Sequence, residues 1–301
     1  MIKVTNDLLF KKMLASEENK DILQGFIQDF CGFEVSYDEI EIVTPYSIKS
    51  YKEALGNIDN MMRVIERDIT VKLRVLDVIV ELQMYKDDNY IARALHYVFD
   101  CYCKNYNTPG KMDTDAVGRL RRHSSLKPVY AINIMSKTVF PDDDEAMRAF
   151  TLYDKEHASG LSKDWIWIGF FELEKETFKT NNQKYWREFL LSGVAPVGSP
   201  EYIKKAQDVA AYANMDEEER EMLTSVQKYE DKINSAMDTA YEDGVEAGIE
   251  QGIEQGIEQG IEQGIAIGAK IIAKKLKESK VFTIEQIAQT AELTVAEVEA
   301  L

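Results

Sequence analysis

From Arg67 to Tyr85 the chain reads RDITVKLRVLDVIVELQMY, with apolar side chains on alternate residues in two runs. A strand turns successive side chains to opposite faces, so each run presents an apolar stripe, and the pair reads as a β-hairpin. If it closes at Arg74-Val75, Ile69 falls opposite Val80, Val71 opposite Val78 and Lys72 opposite Asp77, while Asp68 meets Glu81 at the open end. Arg-Val is poor chemistry for a two-residue turn, so a longer connection with the same centre is expected. In the second strand Val78, Val80, Leu82 and Met84 form the core stripe, leaving Ile79, Glu81, Gln83 and Tyr85 on the other face.

Helical spacing dominates elsewhere. TNDLLFKKMLASEENKDILQGFIQDFCG predicts two helices broken near Ser16 to Asn19, with Thr5 or Asn6 as the N-cap. Residues 39–48 read as extended. The spacing over 89–106 predicts a helix that buries Ile91, Leu95, Val98 or Phe99, and Tyr102, with Arg93 and Tyr97 together on a neighbouring face. Residues 127–135 and 164–173 are apolar runs suited to strands buried on both sides, and Asn133 is the polar exception in the first. PDDDEAMRAFTLYDKEHASGLSKD between them reads as loop. Helices are predicted over 181–192 and about 200–241, the latter broken near Met215. The fold class is α/β, with helices around a short mixed sheet.

From Gly244 to Gly268 a glycine recurs every four residues, through repeats of GIEQ. A period of four exceeds the helical 3.6, so the glycine and isoleucine rows rotate by about 40° per repeat. Seven glycines at roughly 0.8–1 kcal/mol each disfavour a lone helix by about 6–7 kcal/mol against alanine. A lone helix should therefore fray, and the segment is either an oligomeric contact or a spacer. The closing stretch FTIEQIAQTAELTVAEVEAL carries two capping-box patterns, Thr283 with Gln286 and Thr294 with Glu297. Ile284, Ile287, Ala288, Leu293, Val295, Val298 and Leu301 can close a small core there. No Lys or Arg lies on its second helix, which favours packing or assembly over base reading. The domains expected are 1–195, a helical extension over 196–243, the repeat over 244–268 and a small helical module over 269–301.

Charge changes this picture in one respect. The net charge is -17, yet residues 1–130 carry 18 Lys and Arg against 20 Asp and Glu, while 131–301 carry 18 against 33. The acidity is thus mostly C-terminal, and the first part retains a basic run at Arg119, Arg121, Arg122, His123 and Lys127 that could face an anion or simply solvent. Cys31, Cys101 and Cys103 are read as reduced thiols. No apolar run is long enough to span a bilayer and no secretory signal is evident, so the expectation is a cytoplasmic protein without a membrane partner.

Asp68, Glu81 and Gln83 are the candidate chemistry. Two carboxylates meeting at a strand end can hold a hard divalent cation through oxygen ligands, the cation acting on a phosphate and its attacking water. From spacing alone the same residues also fit an exposed hairpin face with two solvated charges. Asp68-x12-Glu81-x-Gln83, preceded by TNDLLFKKML and followed by RALHY, FFELEK and the GIEQ tail, resembles the PD-(D/E)XK nuclease superfamily. The likeness is to its Rpn-like branch of recombination-promoting nucleases and transposase-like proteins, over about residues 3–190. The resemblance implies a restriction-endonuclease-like core and a Mg²⁺-dependent endonuclease, with Mn²⁺ as a substitute, that hydrolyses phosphodiester bonds of double-stranded DNA in recombination or transposon-like functions. It implies Asp68 and Glu81 as metal ligands and Gln83 at the position of the superfamily lysine.

Glutamine exchanges hydrogen bonds but carries no charge, so a second group must supply positive charge to the transition state. Lys11 on the first helix and Arg93 on the helix after the hairpin are candidates, and Tyr97 can hydrogen-bond a phosphate. Asp7, the candidate first-helix acid, competes for the role of serving the helix N-terminus. The alternative function is a catalytically inert DNA-binding or regulatory assembly protein that keeps the fold. The missing lysine and the net charge favour that alternative, retention of Asp68 and Glu81 favours the enzyme, and in either case the repeat segment is the expected site of homo-oligomerisation.

Overall fold

The computed structural model describes residues 4–54, 69–84, 89–106, 119, 122–157 and 159–301. The chain forms two compact units, Met1–Asp231 and Lys232–Leu301. In the first unit, strands β1 (Glu41–Ile42), β2 (Ile69–Lys72), β3 (Asp77–Gln83), β4 (Val129–Met135), β5 (Met147–Thr151) and β8 (Ile166–Glu172) make a six-stranded sheet among the described residues, in the order β1-β2-β3-β4-β8-β5. The β3–β4 and β4–β8 pairs are parallel and the others antiparallel, so the sheet is mixed.

The hairpin has the expected register: Ile69 pairs with Val80, Thr70 with Ile79, Val71 with Val78 and Lys72 with Asp77. Strand pairing stops there, and the Leu73 N–H donates to the Leu76 carbonyl at 2.9 Å across the Arg74-Val75 centre. The Asp77 carboxylate accepts from Asn105 Nδ2 at 2.5 Å. Asp68 and Tyr85 lie outside the described residues.

Both faces of the sheet are core, which corrects the expectation that the Ile79 face is the polar side. Val78, Val80, Ile132, Ile134 and Phe171 pack with helices α1 (Asp7–Leu14), α2 (Lys20–Cys31), α5 (Asn181–Ser192) and α6 (Glu201–Ala210). Ile79, Ala131, Met135, Ile168 and Phe170 pack with Tyr90, Ala94 and Val98 of α4 (Tyr90–Lys104). Helix α4 buries Val98 and partly buries Tyr102 as expected, but Ile91, Leu95 and Phe99 are 42%, 38% and 48% exposed, with Tyr90 and Ala94 buried in their place. The cause is polar, because the sheet beneath α4 carries Glu81, Gln83 and Asn133, which take hydrogen bonds from Arg93 and Tyr90.

A second correction concerns the stretch read as loop. It contains the edge strand β5, antiparallel to β8, and a two-stranded ribbon of β6 (Tyr153–Asp154) and β7 (Ser159–Gly160). Strand β5 is short and largely exposed, with Phe150 and Arg148 together against Phe140, so it lacks the apolar alternation that marks a core strand. Residues 39–48 contribute only β1, and a helix not anticipated, α3 (Ile48–Ala54), follows.

Helix packing explains one glycine. A Cβ at Gly25 of α2 would stand 2.6–2.7 Å from three ring carbons of Tyr202. That ring cannot retreat, since it stacks on Trp186 and its hydroxyl donates to Asp29 Oδ2 at 2.7 Å. Overpacking costs about 1–3 kcal/mol, which exceeds the gain of up to about 1 kcal/mol from alanine's helix propensity. Gly25→Ala is expected to lower the denaturant midpoint, and a raised midpoint would show that the α2–α6 contact yields.

Asn6 caps α1 by accepting from the Leu8 N–H at 3.1 Å. The long helix α7 (Glu217–Ser279) begins in this unit and packs Met222, Leu223 and Val226 against Leu8, Leu9 and Tyr51. Its Glu230 accepts from Asn6 Nδ2 at 2.8 Å and from the Asp7 N–H at 3.2 Å. Burial, reinforced by the Asp7 charge, pushes the Glu230 carboxyl up to about 7 from an ordinary 4.5. Burial also raises Asp7 against the pull of Lys11 and Tyr51. A raised folded-state pKa favours the protonated native form, so this contribution is full below pH about 4.5 and is lost as pH rises through 7. Wild type should lose up to about 3 kcal/mol relative to Glu230→Gln between those limits. Paired denaturant titrations at pH 5 and 8 measure it, and parallel curves would exclude it.

In the second unit the GIEQ segment is helical throughout, part of α7. A Cβ at any of the seven repeat glycines would meet no atom within 4 Å. Ile249, Ile253, Ile257, Ile261 and Ile265 are 57–67% exposed. Helices α8 (Ile284–Ala291) and α9 (Val295–Glu299) carry both expected capping boxes. Their core comprises Ala273, Ile287, Ala288, Ala291 and Val298, with Leu276, Ile284 and Leu293 against it, whereas Val295 and Leu301 are exposed.

Candidate active site

Parallel strands β3, β4 and β8 end side by side, and their carboxyl ends carry an unusual set of polar residues on the face beneath α4. The register places Glu81 beside Asn133 and Phe170, then Gln83 beside Met135 and Glu172. The carboxyl end of parallel strands is where open α/β sheets take their ligands. Glu81 is largely buried, its side chain 12% exposed, and Gln83 is buried.

Arg93, one turn into α4, reaches down to both. Its Nη2 donates to Gln83 Oε1 at 2.5 Å and to Glu81 Oε1 at 3.3 Å. Its guanidinium carbon lies 4.9 Å from the centroid of the Tyr90 ring, in cation–π contact. Tyr90 is buried, and its hydroxyl donates to Asn133 Oδ1 at 2.8 Å, while Asn133 Nδ2 donates to the Gly169 carbonyl at 2.9 Å. Sequence reasoning missed Tyr90 and Asn133. The one available signal was a lone polar residue inside VYAINIM.

The other sequence candidates stand as follows. Lys11 forms an ion pair with Asp7 at 2.8 Å on α1, whose apolar residues belong to layers other than the one that receives Glu81 and Gln83. Tyr97, one turn beyond Arg93, is half-buried against the α4 layer and 6.0 Å from the His96 ring. Asp7 is not the cap but the first helical residue, its carboxylate held by Lys11 and by the Tyr51 hydroxyl at 2.6 Å. In the basic run, Lys127 donates to the Leu73 carbonyl at 2.7 Å and His123 packs near Tyr106, while Arg121 lies outside the described residues.

At the end of β8 a second polar cluster braces the site. Glu172 is fully buried, and its Oε1 accepts from the Val139 N–H and, at 2.9 Å, from the Phe140 N–H. Its Oε2 lies 2.7 Å from Lys175 Nζ, which also donates to the Phe140 carbonyl at 2.6 Å. Burial works against the Lys175 ammonium, but Glu172 and Asp143 hold its pKa above the ordinary lysine value. Ser136, at the start of the segment so anchored, donates its N–H to the Gln83 carbonyl at 2.9 Å.

The Glu81 carboxylate is an oxygen donor that suits a hard cation such as Mg²⁺, while the Gln83 amide oxygen beside it is held by Arg93. Among the described residues no group of three or more His, Cys, Asp or Glu is gathered for a metal, and Asp68 lies outside them. The cysteines are free, and burial raises the Cys31 thiol strongly and Cys101 to about 11, which makes neither a ready thiolate. Among the described residues no helix is long and apolar enough to cross a membrane.

No curated protein and no solved structure matches the chain. The family model described as PD-(D/E)XK nuclease family transposase matches residues 4–240, well over half of the sequence, including the sheet that carries Glu81 and Gln83 and the helix that carries Arg93. The chain belongs to the PD-(D/E)XK nuclease family of transposases.

Proposed function

We propose that the protein is a Mg²⁺-dependent endonuclease that hydrolyses phosphodiester bonds of double-stranded DNA, in a recombination or transposon-like setting. The observation that carries the reading is Arg93 bridging Glu81 and Gln83 at the carboxyl end of β3. Where the superfamily has a lysine, this chain has a neutral amide with a guanidinium hydrogen-bonded to it, so the positive charge comes from the neighbouring helix. Glu81 and Asp68 would hold the cation, which when bound supplies Lewis acidity at the phosphate. Gln83 orients Arg93 and water, and Arg93 stabilises the charge that develops on the phosphate. Arg93 is favoured over Lys11 because it bonds Glu81 and Gln83 directly, whereas the apolar residues of α1 pack in other layers. Tyr97 is assigned a hydrogen bond to backbone phosphate.

Nicking of a supercoiled plasmid with Mg²⁺ tests this reading, with Asp68→Ala and a chelator as controls. Cleavage by wild type alone supports the enzyme. No cleavage by wild type supports the inert DNA-binding alternative, and equal cleavage by the variant points to a contaminant. Counterion release predicts that DNA affinity falls steeply with salt.

The repeat segment is proposed as the homo-oligomer contact. Its glycine row leaves open space beside exposed isoleucines, and a helix ridge from a second copy would fill it. Removing residues 244–268 should reduce the solution mass to that of a monomer, whereas an unchanged mass would leave the segment a spacer.

A further inference from the structure

We propose that Tyr90 and Asn133 are positioning residues for Arg93: a buried tyrosine, tied to the central strand, fixes the guanidinium that stands beside Glu81 and Gln83. The inference rests on the nuclease reading for its consequence, though not for its geometry.

Tyr90 is 1% exposed and restrained at two places. Its hydroxyl donates to Asn133 Oδ1 at 2.8 Å, and its ring stands edge-on to Phe170 at 6.3 Å. Asn133 is 2% exposed and is itself anchored through the Gly169 carbonyl. The ring so held is one wall of the Arg93 position, 4.9 Å from the guanidinium carbon, and Glu81 and Gln83 are the other. An arginine whose side chain is 33% exposed has rotamer freedom to lose, and an immobile aromatic face restricts it.

A simple filling role for Tyr90 accounts for less. Phenylalanine fills nearly the same volume, whereas a buried hydroxyl is unfavourable unless paired, and its partner here is an asparagine that is also buried in an otherwise apolar strand. Two buried polar groups, one on α4 and one on β4, are tied to each other, and the ring they fix lies against Arg93.

The test combines ¹⁵N-arginine NMR of the full-length protein with cleavage kinetics and thermal melts, the Arg93 signals being identified by their loss in Arg93→Lys. Hindered rotation of a clamped guanidinium keeps its Nη signals resolved. Tyr90→Leu should merge them, and Tyr90→Phe, which keeps the ring but not its tie to Asn133, should broaden them. Should Tyr90→Leu fail to fold, Tyr90→Phe decides, and resolved signals like those of wild type in the folded variant would overturn the proposal. In cleavage, Tyr90→Leu should reduce kcat about tenfold, the size of a lost cation–π contact at a partly desolvated site. In an Arg93→Gln background the same change should have no further effect, since it acts through Arg93. Additive losses would reveal a structural role and overturn the inference. A wild type that cuts no DNA while its Arg93 signals respond as described would sink the nuclease reading and leave the clamp standing.

Discussion

Glu81→Ala should reduce Mg²⁺-dependent plasmid nicking by about a thousandfold or more while leaving the fold intact. Removing a single preorganised electrostatic group from an active site lowers kcat by about 10²–10³, and loss of a carboxylate proposed to hold the cation adds the loss of the cation itself. The fold should survive because the Glu81 side chain contributes little to the apolar layers: its neighbours Val80 and Ile79 supply the core contacts on the two faces. Arg93 loses one acceptor but keeps Gln83 and the Tyr90 ring. Circular dichroism and melting should therefore resemble wild type, with the deficit confined to turnover. Nicking within tenfold of wild type would remove Glu81 from the machinery.

The largest effect on stability is expected at Glu172. Replacing it by alanine strands the Lys175 ammonium in a buried position and leaves the Val139 and Phe140 N–H groups without their acceptor. Removing one partner of a buried ion pair costs about 3–5 kcal/mol, because the remaining charge is uncompensated, and a stranded buried donor adds to that cost. Asp143, 3.3 Å from Lys175 but half-exposed, offsets only part of it. Lys175→Met should cost less when combined with Glu172→Leu than either change does alone, since the pair then leaves together. Urea unfolding of the two single variants and the double variant measures this. A Glu172→Ala loss below about 1 kcal/mol would show that the cluster is solvated or bypassed. The segment it anchors donates from Ser136 to the Gln83 carbonyl, so the variant should also loosen the carboxyl end of β3.

The parts of this fold that were legible in the sequence were those set by local periodicity. Ile69, Val71, Val78 and Val80 share a face when the hairpin is centred on Arg74-Val75, and that register is observed. Thr283 and Thr294 with their N3 partners define helix starts without help from the rest of the chain. The face of helix α4 departs from the one its own periodicity predicts because the surface beneath it is not wholly apolar. That surface bears Glu81, Gln83 and Asn133, and it selects Tyr90 and Arg93 instead of Ile91 and Leu95. Glu81, Gln83 and Arg93 stand out in the sequence by their spacing, whereas Tyr90 and Asn133 meet only through a contact between residues 43 apart. Nothing local in FFELEK marks Glu172 and Lys175 as an ion pair; the segment around Val139 and Phe140, folded over the end of β8, supplies their remaining partners.

Whether Glu81 ligates a divalent cation is decided most directly by anomalous diffraction from crystals soaked in Mn²⁺. A peak about 2.1 Å from a Glu81 carboxylate oxygen, the distance of a hard cation from its oxygen ligands, and shared with Asp68, is the predicted result. Manganese bound elsewhere, with the Glu81 carboxylate bare at concentrations that support cleavage, would contradict it.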